Sequence, residues 1–341
     1  MAPIPSEIAT FLKETKACDV QTNHKEVIEI GADQTPIQAA QHLWKNKVIG
    51  APVWDDQRKK YVGFFDMRDM LSTVIASHKE ETGTTEDTNK NKNIAQTKWF
   101  MKDFSPPSVA AASPNSVTVS YLAARNPFVF LPEDATLEEV CRVCSSRHCH
   151  RVPLVDKTTG RCTGILSQSA IVKFLVDHLL VGSMGKKSEL KEFFDKDLEQ
   201  SSFPYKKEVM TAPDTATACE VFEIMDRHRL SGIAVVDASD GTGTLVANTS
   251  ASDIKLAVAV DEGILADLGL NILTYLSAVR QEDPTKEAKY PSSHVKESST
   301  LGHAVRLLAK TGYHRVFVTD AELKPVGVIS VTDIVKFLTE Q

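Results

Sequence analysis

The chain has 341 residues, 42% of them hydrophobic and 25% charged, with a formal net charge of −6. That is globular composition, long enough for two domains or for one domain built of repeats. The acidic balance excludes a general binder of nucleic acid or anionic membrane and leaves room only for a local basic pocket.

Residues 1–17 form an amphipathic lead-in, with Ile8, Phe11 and Leu12 at helical spacing and no basic-then-apolar leader pattern. A first unit spans 18–78. Val27-Ile28-Glu29-Ile30 reads as a strand. Thr35-Pro36 opens a helix whose inner face is Ala40, Leu43 and Trp44. Residues 79–120 turn polar and are expected to be a flexible insertion and linker, with Trp99, Phe100, Met101 and Phe104 packing back on the fold. The second unit, 121–178, has a strand from Pro127 and a helix from Thr136 to Ser145 carrying Leu137, Val140, Cys141 and Cys144. A linker at 179–206 leads to the third unit, 207–260, whose helix carries Ala218, Val221, Phe222 and Met225. The linker at 261–290 contains a helix predicted from Gly263 to Val279; Asp261, Glu262 and Asp267 make this region too polar for a membrane span. The fourth unit, 291–341, has Leu301, Val305 and Leu308 on its helix.

One pattern recurs in all four units. Tyr313-His314-Arg315-Val316-Phe317-Val318-Thr319-Asp320 is a strand, and Pro325-Val326-Gly327-Val328-Ile329-Ser330-Val331-Thr332-Asp333-Ile334 is a strand running into a helix. The corresponding pairs begin at Pro52, His150 and Ser231 and end at Asp69, Ala170 and Asp253, each six places after a Gly or after Ala247 in its place. Repetition at fixed spacing outweighs any single match. Ser330 or Thr332 can cap the last helix, and Asp333 falls in its first turn, where a carboxylate meets unpaired N–H groups and can also accept a sugar diol. Taken singly, such an Asp is a cap and a His-Arg pair is a solvated strand end. Fourfold recurrence favours a ligand.

Six cysteines occur, and Cys141-x-x-Cys144 has no second pair to complete a zinc site. Buried free thiols in a cytoplasmic or nuclear compartment are expected. The sequence carries no Gly-rich phosphate loop, no nucleophile–base spacing and no metal cluster, so an enzyme is not expected.

The Gly-apolar-apolar-Ser-x-x-Asp-Ile ending and the preceding apolar-Pro-Val-Val-Asp resemble cystathionine-β-synthase-type (CBS) repeats, over about 18 to 339. Four such repeats alone are similar to the γ regulatory subunit of AMP-activated (SNF1-type) protein kinases, through Ala51-Pro52-Val53-Trp54-Asp55, His150-Arg151, His228-Arg229-Leu230-Ser231 and His314-Arg315. The resemblance implies an α+β fold of four β-α-β-β-α repeats, 1 paired with 2 and 3 with 4, in two modules stacked as a pseudo-symmetric disc. It implies AMP, ADP or ATP as ligands, no obligatory cofactor, and kinase catalytic and scaffold subunits as partners. On the implied site, Asp253, Asp333 and Asp69 hold ribose, and His150, Arg151, His314 and Arg315 converge on phosphate, for which a guanidinium fork is suited. Ser330, Ser250, Ser231 and Thr211 line the nucleotide. In this sequence Ile49 stands where the family has a phosphate-binding Arg, Asp66 where repeats 3 and 4 have Ser, and Ser169 where a basic residue is usual. An added carboxylate should repel phosphate near Asp69. A free-standing adenylate sensor of another enzyme or channel, and a scaffold with degenerate sites, remain the alternatives.

Overall fold

The local sequence dictates the same small sheet four times. In the computed structural model, which describes residues 4–20, 27–71, 74–75, 118–147, 149–182, 188–201, 203–205, 207–239, 241–255, 268–282 and 292–339, twelve strands form four three-stranded sheets. They are β1 (Ile30–Gly31), β2 (Gly50–Asp55), β3 (Lys60–Asp66), β4 (Leu131–Pro132), β5 (Arg151–Val155), β6 (Cys162–Ser167), β7 (Thr211–Pro213), β8 (Gly232–Val236), β9 (Leu245–Ser250), β10 (His294–Lys296), β11 (Arg315–Thr319) and β12 (Pro325–Ser330). In every sheet the first strand runs parallel to the second and the second antiparallel to the third.

A parallel pair needs a crossover. The helices Pro36–Lys45, Leu137–Arg147, Ala218–Arg227 and Leu301–Thr311 supply it. Each follows a threonine whose hydroxyl accepts a first-turn N–H: Thr35 from Gln38 at 3.3 Å, Thr136 from Glu139 at 3.2 Å, Thr217 from Glu220 at 3.2 Å and Thr300 from His303 at 3.1 Å. Gln38, Glu139 and Glu220 reach back to the cap N–H and close a capping box; His303 in the fourth repeat does not.

The helices end alike too. Lys47, Arg229 and Gly312 each take a left-handed backbone one to two residues past the last turn, with φ of 56°, 52° and 65°. His228 is the helix C-cap, and His228 and Arg229 are both exposed at the turn. The Asp that ends each second strand also has a structural task. Asp55, Asp156, Asp237 and Asp320 accept the N–H two residues on, at 3.0, 2.9, 2.8 and 3.1 Å, and so shape the hairpin turn.

The sheets of repeats 1 and 2 meet through Tyr61, whose ring stacks on Phe128 at 4.3 Å and whose hydroxyl accepts the Cys162 N–H at 2.9 Å. Those of repeats 3 and 4 meet through Ala234, Leu245, Phe317 and Val328. The helical layers join differently. One continuous core unites repeat 1 with repeat 3, and a second unites repeat 2 with repeat 4. Sheet contacts along one direction and helix contacts along the other close the four units into a disc.

The linker helices cover units other than the ones they lead into. The N-terminal helix Ser6–Glu14 buries Ile8 and Leu12 in the core of repeats 2 and 4. The helix Val119–Ala123 packs on repeat 1, so closely that a side chain on Gly63 would overlap the Ala123 carbonyl. Ser188–Asp195 leads toward repeat 3 and packs on repeat 4. Ile272–Glu282 leads toward repeat 4 and packs on repeat 3, where Tyr275 is fully buried edge-on to Phe222. The predicted helix from Gly263 thus begins at Ile272 within the described residues, and residues 256–267 lie outside them. The polar insertion with Trp99, Phe100, Met101 and Phe104 also lies outside them. Cys141 and Cys144 are fully buried free thiols in the core of repeats 2 and 4. Among the described residues no helix is long and apolar enough to cross a membrane, and no group of His, Cys, Asp and Glu is placed to hold a metal.

Candidate functional site

The strand-to-helix turn fixes the chemistry. In all four repeats the carbonyl of the residue before the second strand accepts the first N–H of the following helical turn: Ile49 from Met67, His150 from Gln168, Ser231 from Ala251 and His314 from Val331. This bond brings position 49, 150, 231 or 314 beside the turn that carries Asp69, Ala170, Asp253 or Asp333. The side chains at these positions therefore gather where the four turns meet. The turn at Met67–Met70 packs on Ala251–Lys255, and the helix Gln168–Leu175 packs on Val331–Phe337.

His150, Arg151, His314 and Arg315 are brought together. Burial, then the charge of Arg68, drives His150 down to about 4. Burial, then Arg151, Arg315 and His150, drives His314 down to about 3. Both residues nevertheless keep accessible surface and are not part of the packed core. Arg315 is held down to about 10, first by burial and then by Arg68, while Asp333 acts in the opposite sense. Gln168, 2% exposed, ties repeats 2 and 4 together beneath this cluster: it accepts from Thr332 at 2.7 Å, lies 3.4 Å from His150 Nδ1 and donates to the Cys149 carbonyl.

Arginine and glycine alternate at one repeat position: Gly50, Arg151, Gly232, Arg315. The alternation has a steric reason. A Cβ on Gly50 would stand 3.1 Å from Arg151 Nη1, and one on Gly232 would stand 2.8 Å from Arg315 Cζ. Each even repeat's guanidinium is seated over the odd repeat's glycine. Arg315 donates from Nη2 to Ser231 Oγ, while its buried Nε has no partner among the described residues. A buried unpaired guanidinium N–H is costly.

The aspartates act first as caps. Asp333 Oδ2 accepts the Ser330 N–H at 2.8 Å and the Ser330 hydroxyl at 2.7 Å. Asp253 Oδ2 accepts the Ser250 N–H at 2.9 Å and the Thr249 hydroxyl at 3.0 Å. Asp69 is engaged on both oxygens: Oδ2 accepts the Asp66 N–H at 2.9 Å, and Asn126 Nδ2 lies 3.1 Å from each oxygen. Burial, against the Asp66 N–H bond, raises Asp69 to about 6, and the Asp66 charge adds to the rise. Ala170 leaves repeat 2 with only the Ser167 cap, at 3.1 Å. Thr211 opens β7 and is exposed.

Asp66 is the carboxylate the basic cluster contains. It is 5% exposed, accepts Arg151 Nη1 at 2.6 Å on Oδ2 and Arg68 Nε at 3.1 Å on Oδ1. Burial would raise its pKa; Arg151 and then Arg68 overcome that and hold it well below the usual carboxylate range. Asp66 is thus drawn to cations rather than merely hostile to anions, as the sequence suggested. Sequence reasoning passed over Asn126 and Gln168, and the Gly–Arg alternation was the legible signal for the guanidinium seats.

Fold and site together define a disc of four pseudo-symmetric repeats with a cluster of histidine and arginine side chains where the repeats meet. A family model for the CBS domain matches residues 119–177, 202–259 and 287–340, and the chain belongs to the CBS-domain family. The matched segments leave out repeat 1, whose sheet has the same topology as the other three. The chain is similar to Protein sds23 of Neosartorya fischeri, 27% identical over 271 residues, 77% of this chain and 46% of the relative. It is similar to Protein sds23 of Aspergillus clavatus, 30% identical over 205 residues, 59% of this chain and 37% of the relative. It therefore spans less than half the length of these curated relatives. Among solved structures, a Methanocaldococcus jannaschii protein described as a putative archaeal homolog of the AMP-activated kinase γ subunit aligns over 95% of this chain and 99% of its own, at TM-score 0.65 and 14% identity. An uncharacterized conserved protein of Pyrococcus horikoshii aligns over 95% and 100%, at TM-score 0.50 and 14% identity. These likenesses show the fold.

Proposed function

We propose that the chain is a non-catalytic regulatory protein that binds an adenine nucleotide, AMP, ADP or ATP, between repeats 3 and 4. The observation that carries the reading is Arg315: its guanidinium is seated over Gly232, bonded to Ser231, close to Asp333 and His314, and has a buried Nε without a partner among the described residues. A phosphate there would satisfy the Arg315 guanidinium, with His150, Arg151 and His314 as further donors around it. Asp333 and Asp253 would hold ribose while still capping their turns, and Ser330, Ser250 and Thr211 would line the cleft. Regulation would follow from a nucleotide binding one state of a complex better than another. Titration calorimetry with AMP, ADP and ATP tests the binding; millimolar adenylate giving neither heat nor a thermal shift would remove it.

For the partner, the fold supports kinase catalytic and scaffold subunits of the AMP-activated type. The relatives' name specifies no partner, so a sensor acting on another enzyme or channel is the competing reading. Affinity capture of the full chain with mass spectrometry separates them. Recovery of kinase subunits supports the first, and reproducible recovery of an unrelated enzyme without them supports the second.

A further inference from the structure

We propose that Asp66 is a built-in anion that fills the phosphate seat of repeats 1 and 2, so that this module carries no nucleotide and ligand binding is confined to repeats 3 and 4. The inference rests on the adenylate reading above and sharpens it. Superposing the repeats by their register makes the argument. Asp66 occupies the position of Ser167, Ser250 and Ser330, paired with Gly50 as Ser250 is with Gly232. In repeats 3 and 4, the guanidinium over the glycine faces the Ser231 hydroxyl and keeps an N–H without a partner among the described residues. In repeats 1 and 2, the guanidinium over the glycine faces a carboxylate at 2.6 Å. The second oxygen of that carboxylate takes Arg68, whose charge otherwise bears on His150 and Arg315.

A carboxylate and a phosphate compete for one planar fork. Asp66 is covalently present at the seat, so a free phosphate must displace it and leave a buried carboxylate uncompensated. Two further features of the same module weigh against a ligand there. Asn126 and the Asp66 N–H engage both oxygens of Asp69, and Ile49 offers no polar group where the other repeats have His150, Ser231 and His314. The carboxylate on the guanidinium is what closes the seat, where the other module presents the Ser231 hydroxyl to Arg315.

The test is AMP stoichiometry by calorimetry on the full chain, for wild type, Asp66→Ser, Asp66→Asn and Arg315→Gln. Wild type should titrate with sites that Arg315→Gln weakens throughout, leaving no class of wild-type affinity. Asp66→Ser, which restores the residue of the other repeats, should add one site per chain, and Asp66→Asn should add a weaker one. A far-ultraviolet spectrum and unfolding curve establish that each variant is folded. A class of unaltered affinity surviving in Arg315→Gln overturns the proposal without need of any Asp66 variant. So does a folded Asp66→Ser and Asp66→Asn pair with wild-type stoichiometry. If wild type binds no AMP but Asp66→Ser does, the closed module stands and the adenylate reading of repeats 3 and 4 falls. If none of the four binds, both fall.

Discussion

Repeats 1 and 2 and repeats 3 and 4 make the same sheets, the same threonine caps and the same seating of arginine over glycine, yet their centres differ in charge. In the first pair Arg151 and Arg68 share Asp66. In the second, Arg315 is bonded to Ser231 and its Nε has no partner among the described residues. One half of the disc is satisfied by its own side chains, and the other half is left short of an anion. On the reading proposed above, Asp66 makes a symmetric scaffold one-sided, because a guanidinium takes whichever anion is nearest.

The strongest way to break this comparison is to remove the carboxylate. Asp66→Ala leaves Arg151 and Arg68 facing each other and should cost about 3 kcal/mol of stability, the low end for breaking a buried ion pair. The low end applies because the Arg68 side chain is 35% exposed. Urea unfolding measures it, and saturating phosphate should recover part of the loss. A variant as stable as wild type would show that Asp66 neutralises nothing of consequence.

Arg315→Gln probes the unsatisfied half. Charge-assisted bonds of roughly 1.5–3 kcal/mol each set the scale, so AMP affinity should fall by about one to two orders of magnitude. Adenosine, which lacks the phosphate, should bind Arg315→Gln nearly as it binds wild type and should lose affinity with Asp253→Ala or Asp333→Ala. Equal losses for AMP and adenosine in Arg315→Gln would remove the phosphate role.

The pH dependence sharpens the electrostatic account. His150 and His314 sit at about 4 and 3 in the fold against an ordinary 6.5. Their folded values are lowered, so the fold binds fewer protons than the unfolded chain, and stability is lost as pH falls from about 6.5 toward 3. Asp69 works in the opposite direction: raised to about 6, it is easier to fold once protonated, so its cost is relieved as pH falls through 6. Unfolding midpoints at pH 7 and pH 5 should therefore drop for wild type, and drop less for His314→Gln. An undiminished drop in the variant would mean that the cluster does not govern the acid limb.

The smallest effect belongs to Asn126, which donates to the Phe64 carbonyl at 3.2 Å and to Asp69. Asn126→Ala should cost about 1 kcal/mol, the worth of a typical net hydrogen bond. AMP affinity should not change, because Asn126 belongs to the closed module. A change in AMP affinity would show that repeat 1 takes part in binding.

The sequence by itself determined whatever recurs within one unit. The threonine caps, the aspartate-held hairpin turns and the strand pairing all act between residues near each other in the chain, so the same local pattern produced the same structure four times, and the left-handed helix end three times among the described residues. It also marked the positions that face the centre, because the bond from position 49, 150, 231 or 314 to the following helix is local as well. The fate of those side chains was decided by tertiary structure. Asp66 meets Arg151 across 85 residues and Arg315 meets Ser231 across 84, and the separations say nothing about which guanidinium is met by a carboxylate. The linker helices show the same limit. Each has an apolar stripe legible in the sequence, but a stripe has no address, and only packing sent Ser6–Glu14 to repeats 2 and 4 and Val119–Ala123 to repeat 1. Hydrophobic burial is non-directional and specifies that a face is covered; shape and charge at the assembled interface specify by what.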